Sequence, residues 1–396
     1  MAVKTNYEKN GYKYYRLTKT IGHNLDGSPV KKEFLGKNKS EAEEKATQYI
    51  NMIKQGLPFD YESITIGQLM HNWLFNVLHV SKNFKSSSFE RYESIYRNYV
   101  KDSDISILQV YNIKSEVIQT YYNKLYENNK TSSQIANLNK LLRKFFNYCI
   151  DCDYITKNPC LNRYITIPGN ADEYEDDEED DEEISVFEES ELKVILSNLN
   201  YDNTLHVAIL IASFTGLRMG EILGLKNKYL DLDNKILKVK YTLSKTKIFD
   251  SEEKSHWELR LQKPKTKSSI RTVNIPSNLI GILKKYKEKQ KQKYSSHNLK
   301  FNEESLLFTT KTCEKIDKGN FRRAWERYLK KININYKNFH TLRHTFASLL
   351  FKKGATVLEV KELLGHSDSK TTEKIYIYVF PKSKEDSVNK LNFLLN

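Results

Sequence analysis

The sequence has few cysteines and no pattern of metal ligands among them. It holds four cysteines in 396 residues, and two of them, Cys149 and Cys152, form a CxxC pair. A structural zinc site usually needs a second pair of ligands at matching spacing, and none follows here. We therefore expect no metal site, and interpret the pair as thiols at a helix end and its following turn in a reducing compartment.

The sequence also lacks an apolar run as long as a transmembrane helix, and no signal peptide opens it. Positive charge is abundant instead, because 64 Lys and Arg stand against 50 Asp and Glu, a formal net charge of +14. Much of the acid lies in one run, residues 172–183, which has 11 carboxylates in 12 positions. The rest of the chain is therefore strongly basic. This charge indicates a polyanionic partner, and without a membrane segment we expect nucleic acid.

Five short segments of the C-terminal half carry side chains suited to phosphate chemistry. They are TGLRMGE (215–221), PKTKSSIRT (264–272), HTLRHTFA (340–347), LLGH (363–366) and a tyrosine ten residues after that last histidine. Arg218 and Arg343 can neutralise the non-bridging oxygens of a reacting phosphodiester through paired hydrogen bonds. Lys265 can protonate a departing sugar oxygen, and Tyr376 can form a reversible covalent bond. The set predicts the breaking and rejoining of DNA.

Helical periodicity predicts where several of these side chains lie. His340 and Arg343 are three positions apart in a segment with helical apolar spacing, so both should project from one helix face. His344 lies one turn after His340. Its side chain has two alternatives, to project toward the same point or to face inward. Thr371 or Thr372 is expected to cap the helix that carries the predicted nucleophile.

Two glycines are predicted to end helices beside these residues. Gly216 breaks an apolar helix just before Arg218, and Glu221 lies one turn further on. Because a carboxylate and a phosphate repel each other, we expect Glu221 to orient a catalytic neighbour. Gly365 is typical of a helix C-cap and places His366 in the connecting turn.

The order arginine, lysine, HxxR, LGH, tyrosine resembles the tyrosine recombinase family of phage-type integrases. The motifs cover about the last half of the chain. By this resemblance the family's catalytic positions map to Arg218, Lys265, His340, Arg343, His366 and Tyr376. One position departs from the family, because many members have a histidine two residues after the nucleophile and this chain has Tyr378. Tyr378 is therefore an alternative nucleophile, and Lys263 and Lys267 are alternatives to Lys265.

The resemblance implies a site-specific recombinase that integrates or excises a mobile element. Its reaction would pass through a 3′-phosphotyrosyl intermediate and require no cofactor or metal ion. The implied partners are double-stranded DNA at attachment sites, a homotetramer acting through a Holliday junction, an excision factor and a host DNA-bending protein. We expect a cytoplasmic, nucleoid-associated protein without a membrane partner. A type IB topoisomerase and a non-catalytic DNA-binding protein are the alternatives.

The fold class predicted for the chain is multidomain and mainly helical. We expect a small β-sheet with a helix, an all-helical core-binding domain, and a mostly helical catalytic domain with a small β-sheet, the tyrosine recombinase catalytic fold. The predicted boundaries are 1–58 for an arm-type DNA-binding domain, 62–168 for the core-binding domain, 169–184 for an acidic linker, 185–380 for the catalytic domain and 381–396 for a tail that docks on a neighbouring protomer.

Local patterns supply the predicted elements. Strands are expected at 3–7, 12–21, 30–35, 236–242, 257–262 and 270–275, and helices at 40–53, 66–80, 89–100, 113–126 and 135–150. The cations predicted to contact DNA are Lys13, Arg16, Lys19, Lys31 and Lys32 in the front domain and Arg91, Lys140, Arg143 and Lys144 in the helical domain. The acidic run is interpreted as a solvated spacer, with autoinhibitory occupation of the DNA channel as the alternative.

Overall fold

The chain folds into two compact units, Met1–Asp177 and Glu178–Asn396. The computed structural model describes residues 5–9, 12–23, 29–54, 64–81, 84–169, 184–250, 254–264 and 266–380. Three predictions fall outside these ranges: Lys265, the acidic run 172–183 and the tail 381–396. No helix in the described ranges is long and apolar enough to cross a bilayer.

The first unit begins with an antiparallel sheet in the order β1-β2-β3, followed by a helix. The bounds are Tyr7–Lys9 for β1, Tyr12–His23 for β2, Pro29–Gly36 for β3 and Lys39–Lys54 for α1. Leu17 of β2 lies opposite Phe34 of β3, and both pack against Ala46 and Tyr49 of α1. The predicted sheet and helix are confirmed, although the first strand lies later than predicted.

A helical bundle follows in the same unit. Its elements are α2 (Ile66–Asn72), a π-helix that continues it (Trp73–Leu78), α3 (Ser86–Tyr99), a 3₁₀ turn (Val110–Asn112), α4 (Ser115–Glu127) and α5 (Ser132–Asp151). Trp73 stacks on Tyr92 of α3 and Tyr148 of α5, with ring centroids 6.4 and 6.0 Å apart. The four predicted helices are confirmed. The predicted regular helix over 66–80 is wrong in its second half, where the backbone is π-helical.

The CxxC pair lies at the end of α5, as expected. Cys149 is fully buried in the helix, and Cys152 is the residue that caps its C-terminus. Burial raises the pKa of the Cys149 thiol well above its usual value. A buried, protonated thiol is a packing group rather than a nucleophile.

The second unit is mostly helical. Its helices are α6 (Glu189–Ser197), α7 (Thr204–Thr215), α8 (Met219–Leu223), α9 (Ser277–Ser296), α10 (Lys318–Lys331), α11 (Thr341–Lys352), α12 (Val357–Leu364) and α13 (Lys370–Val379), with 3₁₀ turns at Asn227–Tyr229 and Lys267–Ser269. Helix α7 is apolar on every side and buried from residue 207 to residue 213, so it forms the centre of the core. It packs against α8, α10 and α11.

Two small sheets stand among these helices. Strands β4 (Leu230–Asp231), β5 (Ile236–Val239) and β8 (Arg271–Asn274) form one sheet, and β6 (Thr242–Phe249) and β7 (Ser255–Gln262) form a separate hairpin. The single strand predicted over 236–242 is therefore wrong. Lys240 and Tyr241 continue the alternating pattern of β5 without a turn residue, so the sequence gives no sign of the boundary. Strand β4 was not predicted, because two residues are too few to show the alternation of apolar and polar residues that indicates a strand.

Candidate active site

Arg343 lies at the centre of the second unit and is 1% exposed. Its Nη1 donates to the carbonyl oxygen of Gly216 at 2.8 Å, and its Nη2 donates to that of Leu364 at 2.8 Å. The first carbonyl belongs to the residue that caps α7, and the second to the last residue of α12. Terminal carbonyls of a helix lack partners within it, so the guanidinium satisfies two helix ends at once. Arg343 thereby holds α7, α11 and α12 together.

Both helices end on a glycine in the left-handed conformation, with φ of 62° at Gly216 and 69° at Gly365. A Cβ atom added to Gly216 would lie 2.6 Å from the ring of Phe346, and one added to Gly365 would lie 2.8 Å from the carbonyl oxygen of Ser268. Only glycine combines this backbone with this contact distance. The predicted helix ends are confirmed, and His366 lies in the turn after α12.

Glu221 is a buried carboxylate that contacts two arginines. Arg218, the N-cap of α8, places Nη1 3.4 Å from Glu221 Oε1, and its backbone N–H donates to Oε2 at 3.0 Å. Arg271 of β8 forms a bidentate pair with the same carboxylate, at 3.2 and 3.0 Å. Burial opposes ionisation of Glu221, but the guanidinium of Arg271, together with those of Arg343 and Arg218, holds the pKa of this carboxyl below its usual value.

The two predicted histidines are held in the neutral form. Burial, and then the charges of Arg343 and Arg218, lower the pKa of His366 to about 2. Burial, and then His344, lower the pKa of His340 to about 3. His344 is itself buried, which agrees with the inward-facing alternative, and its ring lies 4.7 Å from that of His340. Near neutral pH neither His340 nor His366 carries a charge in the free protein.

The predicted cap of α13 is wrong. Ser369 occupies the N-cap without a side-chain bond, and Thr372 lies within the first turn. The hydroxyl of Thr372 is fully buried and lies 2.7 Å from Nδ1 of His366. Because α13 begins at Lys370, Thr372 does not occupy the N-cap position. Its hydroxyl contacts His366 instead of the backbone of its own helix.

The two candidate tyrosines of α13 have different surroundings. The ring of Tyr376 packs between Phe351 of α11 and Phe380, with centroids 5.2 and 5.1 Å away. Tyr378 is 50% exposed. Residues two apart on a helix point about 200° away from each other, so only one of these rings faces α11. Helix α11 also carries Arg343, about two turns before Phe351, so Tyr376 is the tyrosine that faces the helix of this arginine.

Four of the six predicted catalytic residues share one electrostatic environment, because Arg218, His340 and Arg343 all act on the ionisation of His366. Tyr376 packs on Phe351, about two turns after Arg343 on α11. Lys265 lies in the segment between β7 and β8, outside the described residues. Its alternative Lys263 is exposed after the end of β7, and Lys267 begins a 3₁₀ turn.

Sequence reasoning missed Arg271 and Thr372 as parts of this arrangement. Arg271 stands in a segment of basic and hydroxyl residues that resembles a surface turn. Its burial follows from the pairing of β8 with β5, which is a long-range feature. Lys318 was missed too. Its Nζ would lie 2.9 Å from a Cβ on Gly220, which is two residues after Arg218 in the chain, and burial lowers its pKa.

The cations of the front sheet divide between its two faces. Lys13, Lys19 and Lys32 alternate with Arg16 and Lys31 along paired strands, so the two groups project from opposite sides. The first group shares the face that packs on α1, and Lys32 lies 3.7 Å from the ring centre of Tyr49 there. The second group lies on the open face.

The cations of the helical bundle contact polar neighbours. Arg91 donates to Asn137, and both line a cavity of about 460 Å³ between α3 and α5. Arg143 donates to Asn162, Lys144 donates to the hydroxyl of Tyr92, and Lys140 is half-buried. Their predicted role in DNA binding stays a prediction.

A mostly helical unit that brings two arginines and two histidines together, and carries a tyrosine on a helix packed against α11 and α12, is typical of DNA strand-transferring enzymes that act through tyrosine. Residues 185–382 match the model of the phage integrase family. A protein described as tyrosine recombinase XerC-like, from Caldanaerobacter subterraneus subsp. tengcongensis, is 42% identical over all of both chains. The integrase of Staphylococcus phage L54a is 25% identical and covers 85% of this chain and 95% of its own. The chain belongs to the phage integrase family of tyrosine recombinases, and its activity is site-specific recombination.

Solved structures show the same fold. The Tn1549 transposon integrase in complex with transposon right end DNA aligns with a TM-score of 0.64 at 20% identity, covering 83% of this chain and 99% of that one. A lambda integrase tetramer bound to a Holliday junction aligns with a TM-score of 0.53 at 18% identity, covering 92% of each chain. The predicted fold class is thereby confirmed.

Proposed function

We propose that Tyr376 is the nucleophile and that Arg218, Arg343, His340 and His366 surround the scissile phosphate. The observation that carries this assignment is the position of Arg343, which fixes the ends of α7 and α12 at one point and so brings Arg218 and His366 together. The phenol releases its proton to solvent as its oxygen attacks phosphorus, and the bond to the 5′ oxygen breaks. Lys265 gives that oxygen its proton. The phosphoester bond is kept as a 3′-phosphotyrosyl link, so rejoining needs no nucleotide.

The neutral histidines act as hydrogen-bond donors in this proposal. If the Thr372 hydroxyl donates to Nδ1 of His366, the single ring proton stands on Nε2 and can reach a phosphate oxygen. Arg218, with 34% of its side chain exposed, supplies the positive charge that contacts the phosphate. The orienting role of Glu221 is supported by its contacts with Arg218 and Arg271.

We further propose that the substrate is double-stranded DNA at the attachment sites of a mobile element, and that four copies act together. The transposon and phage integrases among the relatives support the first point, and the lambda integrase tetramer on a Holliday junction supports the second. An excision factor, a host DNA-bending protein and association with the nucleoid belong to the same proposal.

The domain roles follow from the same reasoning. The front sheet is assigned to arm-type DNA, the helical bundle to core DNA, residues 185–380 to catalysis and residues 169–184 to a spacer. The tail 381–396 is assigned to a neighbouring protomer.

A suicide duplex with a nick beside the cleavage site tests the reaction. We expect a covalent protein–DNA adduct, and joining of the trapped strand when a second duplex with a free 5′ hydroxyl is added. Adduct formation followed only by resealing of the same duplex, with relaxation of supercoils, would identify a topoisomerase instead. Binding without any adduct would identify a non-catalytic DNA-binding protein.

A further inference from the structure

Arg271 contacts two parts of the candidate active site at once, Glu221 of α8 and the C-terminal end of α12. Its two terminal nitrogens bind Glu221, and its Nε donates to the carbonyl oxygen of Leu363 at 2.7 Å. Its Cδ would lie 2.9 Å from a Cβ on Gly365, the residue before His366. The side chain is 6% exposed, so it is unavailable to DNA in this conformation. Arg271 therefore acts on other residues of the protein.

The geometry around Glu221 shows how the carboxylate is shared. Arg271 makes two short contacts with it, whereas the Arg218 guanidinium makes one contact of 3.4 Å. A bidentate pair uses both oxygens of a carboxylate and is much stronger than a single long contact. Most of the negative charge of Glu221 is thus met by Arg271. The guanidinium of Arg218 keeps a loose contact and an exposed surface.

Removal of Arg271 would leave a carboxylate that is only 3% exposed and lacks its main partner. A buried charge without a partner attracts the nearest cation strongly, because the surrounding dielectric constant is low. Arg218 is the cation already in contact. It would be drawn onto Glu221 and away from the position in which it could bind phosphate.

We propose that Arg271 is a positioning residue that neutralises Glu221 and so keeps Arg218 available to the scissile phosphate. This inference rests on the role given to Arg218 in the proposed function. It assigns Arg271 no contact with DNA. Its effect on the reaction passes through Glu221 and then Arg218. Two predictions follow from this sequence of contacts that would not follow if Arg271 only stabilised the fold.

The test measures single-turnover cleavage of the nicked suicide duplex at saturating protein. Arg271→Met should slow cleavage roughly 10- to 100-fold. Adding Glu221→Gln to that variant should raise the cleavage rate at least about fivefold above that of Arg271→Met alone, because the negative charge that attracts Arg218 is gone. Arg271→Met should also have no further effect in a protein that already carries Arg218→Ala.

The control variant is Lys337→Met. Lys337 also pairs with a glutamate, Glu191 at 2.7 Å, and donates to a carbonyl oxygen, that of Val186 at 2.9 Å, but lies outside the site. It should lower the melting temperature and leave the cleavage rate of the folded protein within about twofold. If Arg271→Met does not fold, Arg271→Lys replaces it, and its smaller defect should likewise vanish when Arg218→Ala is present.

Two results would overturn the proposal. One is a double variant with Glu221→Gln that cleaves no faster than Arg271→Met alone. The other is a defect of the Arg271 variant that is fully additive with Arg218→Ala. Failure of the proposed function gives a different result, because the wild-type protein would then form no adduct, or Arg218→Ala alone would cleave like the wild-type protein.

Discussion

The hydroxyl of Thr372 lies 2.7 Å from Nδ1 of His366, and both groups are buried. This bond links the turn after α12 to the helix that carries Tyr376. When the hydroxyl donates in this bond, the ring proton of the histidine stands on Nε2. The histidine of the LGH motif and the tyrosine helix are thus coupled by a residue ordinarily regarded as a helix cap.

Replacing Thr372 with valine keeps the volume and removes this bond. We expect cleavage to slow roughly fivefold, about 1 kcal/mol, since a neutral buried hydrogen bond is lost. Thr372→Ser should retain most of the rate, because it keeps the hydroxyl. Cleavage of the suicide duplex measures both. Equal rates for the wild-type protein and Thr372→Val would show that the bond has no role in cleavage.

The stability of the free protein should fall in acid partly through His340 and His366. Their pKa values are about 3 and about 2 when folded, against 6.5 for an unperturbed histidine. Below pH 6.5 the unfolded chain therefore binds protons that the folded protein excludes, so the free energy of unfolding decreases as pH falls toward 3. Urea unfolding at pH 7 and pH 5 should show a smaller loss for His366→Gln than for wild type. An equal loss would mean that the histidine is not held neutral by the fold.

The two arginines should differ in what their removal costs. Arg343→Ala leaves two buried helix-end carbonyls without their donor, so we expect it to lower the free energy of unfolding by about 2 to 5 kcal/mol. Arg218→Ala removes a partly exposed side chain and should barely change stability, yet slow cleavage a few hundredfold, on the order of 3 to 4 kcal/mol. Urea unfolding and cleavage rates separate the two. Equal destabilisation by both substitutions would contradict the expectation that the more buried arginine contributes more to stability.

The general-acid role of Lys265 is tested through the leaving group. Lys265→Ala should slow cleavage of an ordinary phosphodiester and recover with a 5′-bridging phosphorothiolate, because sulfur leaves without a proton. Lys263→Ala and Lys267→Ala serve as matched controls and should show no selective recovery. Recovery in one of the control variants, and none in Lys265→Ala, would move the role to that lysine.

The helix ends could be predicted from the sequence because their causes are local. Gly216 and Gly365 end apolar runs, and left-handed caps favour glycine, so the positions of Arg218 and His366 follow from short stretches of chain. The role of Arg271 could not be predicted, since its burial depends on strand pairing and on a carboxylate 50 positions earlier in the chain. The prediction that a threonine caps α13 was wrong for a similar reason. A tertiary contact with His366 competes with the helix backbone for the hydroxyl of Thr372.

The most direct measurement of the central claim is the identity of the residue that becomes linked to DNA. The trapped adduct from the suicide duplex is digested with a protease, and the peptide that carries the nucleotide is sequenced by mass spectrometry. We expect the link on Tyr376, no adduct from Tyr376→Phe despite normal DNA binding, and a normal adduct from Tyr378→Phe. A link on Tyr378, or an adduct that persists in Tyr376→Phe, would contradict the assignment of the nucleophile.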